Sequence, residues 1–85
     1  MEMRIYTVRD SKAQGYLQPF FMPNVSVAIR ALKDCLADSG HQFAKHPEDY
    51  DLYCIGFFDD LTGIIEAEPP VHVVAVRDLY KEISK

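Results

Sequence analysis

The chain of 85 residues has no tryptophan, only four glycines and only two cysteines. Cys35 and Cys54 form no close pair of the kind that holds zinc, and they are too few for the disulfide framework of a small secreted domain. They read as reduced thiols packed in a core. No apolar run approaches the roughly 18 residues that a membrane-crossing helix requires. The opening MEMRIYTVRD lacks the apolar centre of a secretion signal. A cytoplasmic protein without membrane contact is therefore expected. Repeats, low-complexity tracts and linkers are also missing, so residues 1–85 are read as a single domain. Nor is there a glycine-rich phosphate loop, a G-x-S-x-G or an H-E-x-x-H. Positive charge is scarce: nine Lys and Arg face thirteen Asp and Glu, for a net charge of −4. That balance argues against simple coating of nucleic acid, which relies on dense cations.

The deficit is uneven. Residues 1–45 carry six basic and four acidic side chains, while residues 46–85 carry three and nine. Hydrophobic residues make up 48% and charged residues 26% of the chain, a globular balance. So short a chain buries only about 60–65% of its unfolded surface, and a second copy would add burial.

MRIYTVRD alternates Tyr6 and Val8 with Ile5 and Thr7 and reads as a strand. SKAQG supplies a turn. YLQPFFMP is extended, with Pro19 and Pro23 confining it to an edge or to irregular structure. A long, imperfect hairpin over 3–23 results. In NVSVAIRALKDCLADSG, Asn24 can cap a helix. Val25, Ala28, Ile29, Leu32 and Leu36 then make one apolar stripe with Cys35 at its border. Gly40 is placed to end the helix in the left-handed conformation. GHQFAKHPEDY is a connecting loop.

DLYCIGFFDDLTGIIEAEPP reads as a second hairpin. Leu52, Cys54, Gly56 and Phe58 fall on one face, and Tyr53, Ile55 and Phe57 on the other. Both faces are apolar, so the strand needs cover on both sides. One helix covers one side. The C-terminal segment or another subunit is left for the second. DDLTG forms a tight turn with Gly63 at positive φ, and Pro69-Pro70 stops the returning strand. VHVVAVRDLYKEISK is ambiguous, because four valines suggest a strand while Val73, Val76, Tyr80 and Ile83 fit a helical stripe. A short extended start passing into a terminal helix is favoured. The expected fold is α+β: a small, largely antiparallel sheet of two hairpins, one amphipathic helix on one face, and a short C-terminal strand or helix.

The segment KHPEDYDLYCIGFFDDLTG gathers a histidine, five carboxylates, a cysteine and four aromatic rings. His41, His46 and Cys54 lack zinc-ligand spacing, and the aspartates do not follow the calcium-loop pattern. Asp49 and Asp51 flank a buried strand, and Asp59 and Asp60 form a turn. No metal, cofactor or catalytic residue is expected, and the protein reads as no enzyme. The rings raise a different question. Aromatic platforms beside cations stack unpaired bases. Tyr16, Phe20 and Phe21 are candidates, with Arg4, Arg9, Lys12, Arg30, Lys33 and Lys45 for phosphates. Phe20 and Phe21 are neighbours on an extended segment, so they point opposite ways and at least one meets solvent or a partner.

The order of AIRA, HPEDYDLYCIG and FDDLTG along residues 3–66 resembles the small non-structural protein of gokushovirus-like microviruses, which are single-stranded DNA bacteriophages. The resemblance implies a non-enzymatic accessory role in single-stranded DNA synthesis and genome packaging, in the host bacterial cytoplasm. It supplies no catalytic residues and no DNA-contact motif. Two partner expectations stand together with a homo-oligomer, a dimer first. One is direct binding of single-stranded DNA through the residues just named. The other is an adaptor whose acidic face (Asp49, Asp51, Asp59, Asp60, Glu66 and Glu68) holds a viral or host replication protein, acting as a DNA mimic.

Overall fold

The computed structural model describes residues 2–83. Its elements follow the order β1 (Glu2–Asp10), β2 (Gly15–Tyr16), β3 (Phe20–Met22), α1 (Val25–Ala37), α2 (Gln42–Lys45), a 3-10 turn at Pro47–Asp49, β4 (Tyr50–Asp59), β5 (Ile65–Ala75) and α3 (Val76–Ile83). All strand pairs are antiparallel. The sheet order is β2-β1-β4-β5, and β3 joins the same edge of β1 as β2. The α+β architecture with two hairpins is the one the periodicities indicate.

Helix α1 forms where the apolar stripe demands it. The Asn24 side-chain oxygen accepts from Val27 N at 3.0 Å, satisfying one of the free amides of the first turn. Ala28, Leu32 and Leu36 are buried against Tyr6 and Val8 of β1 and Leu52 and Cys54 of β4. Each such leucine contributes roughly 1.5–3 kcal/mol by leaving water. The helix ends differently from the expectation. Gly40 is not at positive φ. Asp38 is the C-cap, and its Oδ1 accepts from Gly40 N at 2.9 Å. The connecting loop also holds more structure than its polarity suggests. His41 caps α2 through Nδ1, which accepts from Phe43 N, and Phe43 packs on Tyr50 with centroids 4.6 Å apart.

The tail is a strand passing into a helix. Pro69 and Pro70 do not stop β5; they lie inside it. β5 is an edge strand, where a missing N–H costs no ladder bond. The pairing with β4 shifts register across them, from Cys54↔Val71 to Gly56↔Ala67. α3 buries Val76 and Leu79 in the same core and packs beside α1 and the 3-10 turn. The C-terminal segment therefore joins the helix layer. Among the described residues it leaves the second face of the sheet open, with no helix over it, although Ile5 and Thr7 on that face are buried.

A bulge divides that sheet. Ile5 pairs with Gly56 but Tyr6 pairs with Cys54, so Ile55 is an extra residue in β4. This corrects the simple alternation. Leu52 and Cys54 point to the helices, whereas Gly56 and Phe58 share the open face with Ile5 and Met3. Gly56 has φ +156°, and a Cβ there would collide with the carbonyl oxygen of Glu66. Only glycine lets β5 approach β4 at this point. Beyond the bulge, the turn closes as expected, with Gly63 at φ 74° donating to Asp59 O at 2.8 Å.

Candidate nucleic-acid interface

On the open face, the register lines up side chains from three strands. Thr7 donates to Leu17 O at 2.7 Å, and Leu17 N donates to Val8 O at 2.8 Å. These bonds fasten β2 to β1 and aim Tyr16, opposite Arg9, across the sheet. Tyr53 sits opposite Thr7 on one side and His72 on the other. Three rings follow: Tyr16 meets Tyr53 edge-on with centroids 5.6 Å apart, and Tyr53 meets His72 at 5.3 Å. His72 Nε2 lies 2.9 Å from Asp51 Oδ1. A carboxylate only accepts, so the ring donates from Nε2 and its plane is fixed. Tyr16 is 49% exposed, and His72 is exposed as well. A row of ring surfaces thus crosses the strands, with Arg9 and, in the following turn, Lys12 at its side.

Other candidates for base and phosphate contact are placed elsewhere. Phe20 stacks on Tyr6 with centroids 6.0 Å apart and belongs to the core, while Phe21 is 45% exposed on the open face. The two do point opposite ways. Arg4 lies over the Phe57 ring at 5.4 Å on the helix-side face, beyond the bulge. Arg30 and Lys33 are on α1, where Lys33 is 3.8 Å from Glu82 of α3, and Lys45 is on α2. Three of the nine nucleic-acid candidates therefore share the open face, Arg9, Tyr16 and Phe21, and Lys12 lies in the adjoining turn. Tyr53 and His72 were missed. Tyr53 shares parity with Asp51, but only the pairing register shows that it bridges Tyr16 and His72.

The carboxylates of the adaptor expectation also divide. Asp49 lies with His46 and Glu48, their ligand atoms all within 4.8 Å of one another, yet His46 and Glu48 are exposed neighbours in one short turn. Asp51 is engaged by His72. Asp59 Oδ1 accepts from Leu61 N at 2.9 Å, and that bond, before any other cause, holds its carboxyl below the usual value. Asp59 and Glu66 join Glu2 and Thr62 around Phe57 in a hollow of 150 Å³ on the helix-side face. Asp60 and Glu68 are exposed nearby in the turn and on β5.

The two thiols are free and sit in different surroundings. Cys54 is buried and directs Sγ toward Gly56 O. Burial, then Asp34 and Asp38, push the Cys35 thiol up, so it stays protonated at neutral pH. Cys35 lines an apolar cleft of 290 Å³ between α1 and residues 17–22. Among the described residues, no helix is long and apolar enough to cross a membrane.

The model of the family described as "Phage ORF5 protein" matches residues 3–79. Protein ORF5 of Chlamydia phage 1 is 36% identical over 67 residues, covering 74% of this chain and 70% of that protein. No solved structure matches.

Proposed function

Since this chain belongs to the phage ORF5 protein family, we propose that it is a non-enzymatic accessory protein of viral single-stranded DNA replication and genome packaging, at work in the host cytoplasm, and that it binds single-stranded DNA on its open sheet face. The observation that carries this reading is the row Tyr16–Tyr53–His72. Every base has a π-face, so rings spread over adjacent strands accept successive unpaired bases without reading sequence. Arg9 and Lys12 neutralise phosphates. The net charge of −4 and the small number of cations make the binding weak and strongly salt-dependent.

Anisotropy of a labelled oligothymidylate, titrated with protein across a salt series, tests this. Binding at low salt should weaken steadily as salt rises. Tyr53→Ala should cost roughly tenfold, the scale of one lost stacking contact. Arg9→Gln should lower the salt slope by about one phosphate. No binding at low salt, or unchanged affinity in Tyr53→Ala, overturns the reading.

The adaptor reading draws support from the carboxylates of Glu2, Asp59 and Glu66 around Phe57. They offer a basic partner protein an aromatic floor with an acidic rim. Nuclease treatment separates the two. It abolishes co-purification of a replication protein tethered through DNA and spares one held by this hollow.

A further inference from the structure

We propose that a second copy of this chain covers the open face of the sheet beyond the bulge, forming a homodimer through Met3, Phe21, Phe58 and Ile65. This inference is independent of DNA binding. The pairing register places these four side chains on one face together with Ile5, which is itself buried: Met3 opposite Phe58, Ile5 opposite Phe21, and Phe58 opposite Ile65. Phe21 and Phe58 meet edge-on at 5.7 Å. Phe21 is 45% and Ile65 57% exposed. Among the described residues, no helix lies over them.

The charged side chains of the same strands point the other way. Glu2, Arg4, Asp59 and Glu66 pair across the opposite face. In an antiparallel sheet, the face that sheds its charges is the one that packs. Here, among the described residues, no helix packs on it, and Phe21 and Ile65 remain exposed. A patch of this kind on a small domain marks an interface.

The size suits a self-complementary contact. The molecule extends 42 × 25 × 18 Å, and 18 Å accommodates the sheet with one helix layer. Half of the broad outline is roughly 500 Å², so two copies have room to bury at most roughly 1,000 Å², the lower bound of a specific interface. A two-fold axis through this half matches like with like, closes after two copies, and leaves the Tyr16–Tyr53–His72 row at the outer ends free. Uncharged at its centre, the contact is insensitive to salt, whereas phosphate contacts are not.

Light scattering after size exclusion, over a range of protein and salt concentrations, tests the proposal. The wild type should show twice the 9.7 kDa chain mass at micromolar concentration in low and high salt alike. Ile65→Lys should give a monomer with unchanged circular dichroism. Phe21→Ser, on a different strand, provides the same reading where Ile65→Lys does not fold. Val25→Ser, on α1 and away from the patch, should remain a dimer. A wild type that stays monomeric at high concentration overturns the proposal and leaves the patch to another protein. A dimer that survives both patch substitutions overturns it too. Loss of the dimer with oligonucleotide binding retained, or the reverse, tells failure of one surface from failure of the other.

Discussion

At the helix end, the sheet turns its apolar side chains inward onto α1 and α3; at the hairpin end, it turns them away from the helices. Tyr6, Val8, Leu52 and Cys54 are buried in one cluster with Leu32, Leu36, Val76 and Leu79. Their opposite face shows Arg9, Asp51, Tyr53 and His72, a mixed and partly polar surface. Past Ile55 the pattern inverts. The helix side carries Glu2, Arg4, Asp59 and Glu66, and the open side carries Met3, Phe21, Phe58 and Ile65. In β4 one extra residue produces the inversion, because a shift of one exchanges the faces of every residue after it; in the unbroken β1 the residue types change instead, Arg4 and Glu2 following Val8 and Tyr6 on the same face. The chain thus assembles its own core from one end of the sheet and leaves an apolar surface, the proposed dimer contact, at the other.

The largest effects should separate the two ends. Leu52 is fully buried at the centre of the helix-end core. Leu52→Ala should lower stability by about 3 kcal/mol through lost contacts and a cavity, measured as a shift in urea midpoint that does not depend on protein concentration. Phe58→Ala removes a larger ring at the hairpin end, yet its loss should depend on protein concentration, since it acts through association. Equal, concentration-independent losses at both positions would abolish the distinction between self-sufficient and partner-dependent halves.

Gly56 lies at the division itself. Gly56→Ala forces a side chain into the carbonyl of Glu66 at a backbone angle that L-residues avoid. A loss of about 2 kcal/mol is expected from that strain, together with loss of the dimer mass, because the bulge aims Phe58 outward. Retained dimer mass in a destabilised Gly56→Ala protein would mean that the patch does not rely on the bulge.

The helix end was legible in the sequence because its signals are local. The stripe of α1 has period 3.6 and its cap is a neighbouring residue; at the other end, only the DDLTG turn, whose chemistry lies within five positions, was equally local. Face assignment past Cys54 was not legible. A period-2 count assumes an unbroken pleat, and the one glycine in the middle of an apolar strand was the available sign of a bulge. Pro69-Pro70 misled for a related reason: prolines end a central strand but are tolerated in an edge strand, and strand order is a tertiary fact. The site divided the same way. Tyr16 and Arg9 could be nominated as a ring beside a cation. Tyr53 and His72 lie far from Tyr16 along the chain and join it only through register. The cations of α1 and α2, equally basic in composition, were carried to the other layer by the stripe that buries Leu32 and Leu36.

The smallest effect concerns the hairpin tip. Hydrogen bonds from the Leu61 and then the Thr62 backbone favour the charged form of Asp59 and lower its pKa below the ordinary 3.8. A group whose folded pKa is depressed contributes its stabilisation above the unfolded value and loses it as pH falls through the folded one. The tip should therefore hold its full order at neutral pH and loosen only in acid below the ordinary carboxylate range. Amide exchange at Leu61 and Gly63 should report this loosening while the amides of α1 remain protected, because the helix is held by the apolar cluster of Leu32, Leu36, Val76 and Leu79. Asp59→Asn keeps an acceptor oxygen for Leu61 N but removes the charge, so the acid dependence at the tip should disappear. If α1 and the tip lose protection together at the same pH, the two ends unfold as one cooperative unit and their independence fails.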